Sequence, residues 1–281
     1  MNKNKVLILG DGFLGSEFIR HGFIYYTSRK PYKKTLAFDA NDRFNIQRNL
    51  QTLYNELHFD TIVNCIGCAN TRYCEDPKNF NYIKWINGEF VHYLGDWCHT
   101  HNIKLVHIST GCLYDNVGRG TVRETDFIAA HCNYVVSKWI GEYGCNIEKD
   151  LVIRPRLYFS DIINPLNLIC KFPKFKTILN EFNSVTSTRT IVEAVTALLK
   201  NNQTGIFNVA NDGAYTIKQL SEAIGYKWNN EQIVSQEELH KSQGLYLVNN
   251  VMDLSKLKQF YSPRDAVEEF KWCKQNLHEA E

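Results

Sequence analysis

The chain has 281 residues, 44% of them hydrophobic, and its 32 basic and 30 acidic side chains leave a formal charge of +2. That length suits one large domain or two coupled ones with a sizeable core. A charge so close to balance gives no electrostatic basis for a nucleic-acid or membrane-surface partner, and no apolar run is long enough to span a bilayer. Nine cysteines with no secretory leader are expected to be free thiols in a reducing compartment, so the sequence predicts a cytoplasmic protein.

Residues 6–9 read as a short apolar strand. Gly10-Asp11-Gly12-Phe13-Leu14-Gly15 follows and opens a helix through Phe18 and Ile19. In a G-x-G-x-x-G turn between strand and helix, the first glycine permits the tight turn. The second lets the backbone approach a pyrophosphate, and the third lets helix pack on strand. The phosphates then lie at the positive end of a helix. Gly10, Gly12, Phe13, Leu14 and Gly15 are therefore candidate dinucleotide contacts.

The next strand, residues 23–26, runs into Thr27-Ser28-Arg29-Lys30. A site that prefers NAD places a carboxylate near this point for the ribose 2′-hydroxyl. Here stand a hydroxyl, Ser28, and two cations, Arg29 and Lys30, which suit a 2′-phosphate, so the predicted cofactor is NADPH. Residues 35–38 look like a third strand, closed by Asp39 where an adenine is expected. Residues 46–57 have helical periodicity. A buried strand then begins at Asp60, and small residues follow it. Gly67, Cys68 and Ala69 let a cofactor pass close to the backbone. Cys65 and Cys68 form a single CxxC. A closed zinc site needs four ligands, so they read as two small residues at a strand end and no metal is expected. A helix over 80–101 carries Asn87, read as a solvated mid-helix position.

Residues 105–108 form an apolar strand that delivers Ser109 and Thr110 at its end. The next helix carries Tyr134 and Lys138, which lie on one face because they are four apart. A lysine ammonium beside a phenol stabilises the phenolate and draws its pKa down from about 10. Such a phenol can pass a proton to a carbonyl oxygen that the Thr110 hydroxyl helps to hold. YxxxK alone is a weak signal, but with the strand-end Ser-Thr and the glycine turn it describes a carbonyl reducer. Residues 151–154 form another strand, ending in Arg154-Pro155-Arg156. The alternation predicts an α/β fold with a doubly wound, mostly parallel sheet and ligands at the carboxyl ends of its strands, where Gly10, Thr110 and Arg154 fall. The expected division is a dinucleotide-binding domain over 1–156 and a substrate-binding region over 157–281, interleaved with the sheet edge. In that second part a helix is expected from Asn164, and Thr190-x-x-Glu193 reads as a capping box ahead of 192–199. A strand follows over 205–209, then a helix over 216–224 and a terminal helix over 264–277.

At these residues the chain resembles the extended short-chain dehydrogenase/reductases. Within them it is similar to the nucleotide-rhamnose branch, which holds dTDP-4-dehydrorhamnose reductases and bifunctional 3,5-epimerase/4-reductases. The resemblance is carried by Thr110-Gly111-Cys112, by Tyr134 to Lys138, and by Arg154-x-Arg156. The block from Asn164-Pro165-x-Asn167 to Lys171 and the later run Leu199-x-x-Asn202-x-Thr204-Gly205-Ile206-x-Asn208 also match. It implies an NADPH-dependent enzyme acting on a nucleotide 4-keto-6-deoxyhexose, with Tyr134 as proton donor, Lys138 tuning it and holding the ribose, and Arg154, Arg156 and Asn167 around the sugar. In the bifunctional enzymes the matching cysteine and lysine, here Cys112 and Lys171, are the epimerising pair. Inverting C3 or C5 beside a ketone needs a base on one face and an acid on the other, and a cysteine needs help to ionise from about 8.5. The product implied is a nucleotide-activated rhamnose or a close 6-deoxysugar. Two other readings stay open: a 4-reductase without epimerisation, and a non-catalytic dinucleotide-binding subunit. A homodimer is expected on fold analogy. The turn after the second strand is this chain's own, and the loop from Asp115 to His131 offers only Glu124-x-Asp126 as a substrate-facing motif.

Overall fold

The computed structural model describes residues 1–30, 35–114, 120–129, 131–243 and 247–279. The chain gathers into two units. The first is Met1–Leu113 with Ala130–Arg154 and Val195–Phe207; the second is Tyr114–Ala129 with Pro155–Ala194 and Asn208–Glu281.

The first unit grows from strands that are apolar along their whole length. In chain order its elements begin with β1 (Val6–Leu9), α1 (Gly15–Arg20), β2 (Tyr25–Ser28), β3 (Leu36–Ala37), α2 (Ile46–Leu57), β4 (Thr61–Asn64) and α3 (Thr71–Glu75). They continue with α4 (Phe80–Lys84), a π-helical turn (Trp85–Glu89), α5 (Phe90–Thr100), β5 (Lys104–Ile108), α6 (Asn133–Glu142) and β6 (Leu151–Pro155). Every residue of β1, β4 and β6 is buried, as expected when helices cover both faces of a parallel sheet. The five pairings β2–β3, β1–β2, β1–β4, β4–β5 and β5–β6 are all parallel. On one face Leu50 and Leu53 of α2 and Phe90, Val91, Leu94, Trp97 and Cys98 of α5 pack with Leu7, Leu9, Ile62 and Leu105.

The second unit contributes β7 (Tyr158–Phe159), α7 (Leu168–Lys171), β8 (Ile178–Leu179), β9 (Phe182–Asn183) and β10 (Thr186–Ser187). α8 (Thr188–Lys200) and β11 (Gly205–Val209) each divide between the two units. The second unit then adds β12 (Tyr215–Thr216), α9 (Ile217–Ala223), β13 (Ile233–Val234), α10 (Gln236–Gln243) and α11 (Ala266–Gln275). β10–β7, β12–β9 and β13–β8 are two-stranded ladders, while β11 ends a seven-stranded sheet of order β11-β6-β5-β4-β1-β2-β3. The order reverses between β1 and β4, the crevice where doubly wound sheets take their ligands. The second unit's own core centres on Phe159, Phe172 and Phe270, with the Phe159 and Phe270 rings 4.7 Å apart.

Several expectations shift. The second strand is Tyr25–Ser28 rather than 23–26, because Phe23 turns onto Phe18 with ring centroids 5.3 Å apart. The third strand keeps only Leu36–Ala37 of the residues expected. The helix expected from Asn164 begins at Leu168, since Asn164 Oδ1 accepts from Leu166 N and Asn167 Oδ1 then caps Ile169 N. The capping box at Thr190 is not formed. α8 starts at Thr188, four residues before the expected 192, with Ser187 Oγ accepting from Thr190 N, and the Glu193 carboxylate turns to Arg264 and Tyr261. The last helix is trimmed to Ala266–Gln275 by Asp265, whose side chain accepts from Val267 N and Glu268 N. Among the described residues no helix is long and apolar enough to cross a membrane.

Candidate active site

The glycine turn leaves β1 through Gly10, whose φ of +92° is open to glycine without strain. A Cβ on Gly15 would stand 1.8 Å from Gly10 O, so that position admits no side chain. Beside Gly12 no described atom lies within 4 Å of where a Cβ would be. The turn is braced from the next strand, where Thr27 Oγ1 accepts from Gly10 N at 3.1 Å. Phe13 and Leu14 are buried against the unit. Ser28 ends β2 buried, while Arg29 and Lys30 are exposed just beyond it. Asp39 closes a turn, its Oδ1 accepting from Asn41 N at 2.9 Å and from Asn41 Nδ2 at 3.0 Å.

At the end of β5, Ser109 N donates to Ile153 O and carries the ladder to its last rung. Thr110 Oγ1 accepts from Cys112 N at 3.1 Å, so Thr110 and the half-buried Cys112 belong to one turn. Tyr134 and Lys138 lie on α6, 9% and 5% exposed. Lys138 Nζ donates to Ile108 O at 3.0 Å, which seats the ammonium at the carboxyl end of β5. A Cβ on Gly67 would come within 3.2 Å of the same nitrogen. The lysine therefore stands between the ends of β4 and β5. Burial lowers its pKa to about 8, opposed by the nearby Cys68 and Glu142.

Two residues that sequence reasoning missed hold this arrangement together. Asn87, expected in solvent, is fully buried in the π-helical turn. Its Oδ1 accepts from Cys68 N at 2.7 Å, and its Nδ2 donates to Cys68 O and to Ser137 Oγ, each at 3.0 Å. Ser137 Oγ in turn donates to Tyr134 O at 2.8 Å. One amide thus ties the loop after β4 to α6. Glu75 supplies the amino-terminal cap of α6, its carboxylate oxygens accepting from Asn133 N at 3.0 Å and Tyr134 N at 3.1 Å. A carboxylate there also suits the helix dipole. Nothing in the local sequence marks either role, since the bonds cross 19 to 59 residues of chain.

Arg154 is turned into the first unit's core. Its guanidinium meets Glu142 in two parallel bonds of 2.9 and 2.6 Å, and Arg154 is only 2% exposed. In the second unit Arg156 Nη2 donates to Asn183 Oδ1 at 2.9 Å and to Val248 O. Asn167 is fully buried. Its Nδ2 donates to Ser160 O and Ile162 O, and its Oδ1 accepts from Ser160 N and Ile169 N. That exhausts the amide's capacity and makes Asn167 a framework residue. Lys171 closes α7 half-buried, and burial lowers its pKa. Among the described residues no group of three or more His, Cys, Asp or Glu could hold a metal ion.

A doubly wound parallel sheet with a glycine turn after its first strand is a Rossmann-type α/β fold. More narrowly, the chain belongs to the family described as RmlD substrate binding domain, whose profile matches residues 4–244. The chain is 25% identical over 237 residues to a trifunctional UDP-glucose 4,6-dehydratase/UDP-4-keto-6-deoxy-D-glucose 3,5-epimerase/UDP-4-keto-L-rhamnose-reductase of Arabidopsis thaliana, covering 78% of this chain but 34% of that protein. So it spans about a third of that relative's length. A bifunctional dTDP-4-dehydrorhamnose 3,5-epimerase/dTDP-4-dehydrorhamnose reductase of the same plant is also 25% identical, over 77% of this chain and 75% of its own. Among solved structures, a dTDP-4-dehydrorhamnose reductase from Bacillus anthracis in complex with NADP superposes with a TM-score of 0.76 at 17% identity, covering 97% of this chain and 98% of that one.

Proposed function

We propose that this protein is an NADPH-dependent enzyme that epimerises C3 and C5 of a nucleotide 4-keto-6-deoxyhexose and reduces its C4 ketone. The observation that carries the reductase half is the buried Lys138 ammonium on the helix of Tyr134, at the strand end that also presents Thr110. The relatives' names support the substrate class, and the family supports the fold that presents it.

The chain's residues fit the cofactor. The open space beside Gly12 admits a pyrophosphate against bare backbone, and the exposed Arg29 and Lys30 supply charge for a 2′-phosphate. When bound, NADPH supplies a hydride for C4. Thr110 orients the C4 oxygen, and Tyr134 gives its hydroxyl proton to that oxygen as it gains charge. Lys138 lowers the cost of the phenolate left behind and reaches the ribose. Cys112, as thiolate, removes the proton from C3 or C5, and Lys171, as ammonium, returns one to the opposite face. Arg156 serves the nucleotide sugar. The Arg154 and Asn167 bonds already described favour a supporting part for those two.

Reduction without epimerisation leaves the Thr110, Tyr134 and Lys138 chemistry unchanged and dispenses with Cys112 and Lys171. Cys112→Ala separates the two. The epimerising enzyme loses at least about 100-fold on the unepimerised ketone, the usual worth of a positioned base, and keeps its rate on the epimerised one. A plain reductase is indifferent to the change with both. A non-catalytic subunit would show no NADPH consumption with any nucleotide 4-keto sugar.

A further inference from the structure

The CxxC of the sequence pairs differently in space. The sulfur facing Cys68 is that of Cys74, which donates to Cys68 Sγ at 3.6 Å and to Cys68 O at 3.7 Å. Both thiols are free. Cys74 is buried in α3, and Cys68 is half-buried in the loop after β4. We propose that Cys68 and Cys74 are an oxidisable dithiol that closes to an intramolecular disulfide and, in closing, loosens the amino end of the helix that carries Tyr134.

The two sulfurs are unlike, which is what stepwise oxidation needs. The hydrogen bond from Cys74 is the largest cause lowering the Cys68 thiol below its ordinary range, against burial and with help from the backbone at Asn70 and from Lys138. The same bond, with burial, holds Cys74 protonated. Burial likewise keeps Cys65, Cys98, Cys132 and Cys145 as thiols. Since the thiolate is the reactive form, attack falls on Cys68. With hydrogen peroxide as oxidant, Cys68 sulfur attacks one peroxide oxygen. The S–O bond forms, the O–O bond breaks, and the departing hydroxide takes a proton to become water. Cys74 sulfur then attacks the sulfenic sulfur. The S–S bond forms, the S–O bond breaks, and the hydroxide leaves with the Cys74 proton as a second water. Two electrons pass from the dithiol to peroxide.

The bond requires the sulfurs to approach by about 1.5 Å, from contact to the ~2.05 Å of a disulfide. Asn87 pins both the N–H and the carbonyl of Cys68, so the shift falls on the five-residue α3. Glu75 is the next residue after Cys74, and its carboxylate caps Asn133 and Tyr134. Drawing Cys74 inward pulls that carboxylate from α6. The disulfide stands independently of the function proposed above; only its consequence for turnover rests on Tyr134 being the proton donor.

The test uses the full reduced chain, oxidised with hydrogen peroxide, alkylated in denaturant and mapped by mass spectrometry. The expected product links the peptides of Cys68 and Cys74 with loss of two hydrogens and is undone by dithiothreitol. Cys74→Ser should stop the reaction at a Cys68 sulfenic acid that dimedone traps. Linkage of Cys68 to Cys65, or peroxide consumption by other cysteines while this pair stays reduced, would overturn the proposal. Amide exchange reads the coupling without any substrate. Asn133 and Tyr134 N–H should exchange about tenfold faster in the disulfide form, the effect of losing one charge-assisted hydrogen bond. Unchanged exchange there would refute the link to α6.

Discussion

Lys138 is a cation held where water cannot reach it, and replacing it with methionine should separate stability from activity. The structure sets its native pKa at about 8 against an ordinary 10.5. Below about pH 8 the lysine is charged in both the folded and the unfolded chain, and burying that charge costs ~3 kcal/mol of stability. Between about pH 8 and 10.5 the native lysine gives up its proton while the unfolded one keeps it, so the penalty shrinks as pH rises. Lys138→Met has no such group. The stability of the wild type minus that of the variant should therefore rise by ~2 kcal/mol between pH 7 and 9.5, and taking the difference cancels the other titrations. At pH 7 the variant regains the ~3 kcal/mol but loses the bond from Nζ to Ile108 O, worth ~1–1.5 kcal/mol, so it should be the more stable protein by ~1–2 kcal/mol. Urea unfolding followed by tryptophan fluorescence at the two pH values measures all of this. The variant should also lose turnover by at least about 100-fold. A difference that does not change with pH, or a variant less stable than wild type at pH 7, would show that Lys138 does not carry a buried charge.

Other outcomes follow from single contacts. Arg154→Met leaves the Glu142 carboxylate buried and unpaired, at a cost of ~3–5 kcal/mol in chemical unfolding. Adding Glu142→Gln should recover most of it. Arg29→Ala with Lys30→Ala should cut the preference for NADPH over NADH by about 10-fold or more, since these exposed cations are the charges proposed to meet the 2′-phosphate. The kcat/KM for reduction should fall on the alkaline side with a midpoint near pH 8, where Lys138 loses the charge that supports the Tyr134 phenolate. A flat profile between pH 7 and 9 would separate Lys138 from the proton transfer.

Much of the parallel sheet, with its glycine turn and the α2 helix, was legible because the signals are local. β1, α2 and β11 have the residues that periodicity assigns them. Gly10 and Gly15 announce their backbone demands through spacing alone. Strand ends were blurred where an aromatic side chain left the ladder for the core, as Phe23 does beside Phe18. Helix starts were misread where two candidates compete, as Ser187 takes the cap that Thr190 advertises. The roles of Asn87 and Glu75 were invisible, because an asparagine inside a helical pattern and a glutamate at the end of a short helix look solvated until a partner far along the chain reaches them. The thiol pair was mislaid for the same reason. CxxC spacing points to Cys65, whereas the turn of α3 brings Cys74 to Cys68.

Whether one chain both epimerises and reduces is decided by a single reaction in deuterated water. Purified protein is given NADPH and UDP- or dTDP-4-keto-6-deoxyglucose, and NADPH absorbance is followed together with the sugar protons. The expected result is NADPH loss with deuterium incorporated at both C3 and C5 of the product. NADPH loss without incorporation would remove Cys112 and Lys171 from the chemistry, and no turnover with either nucleotide despite NADPH binding would contradict the enzyme altogether.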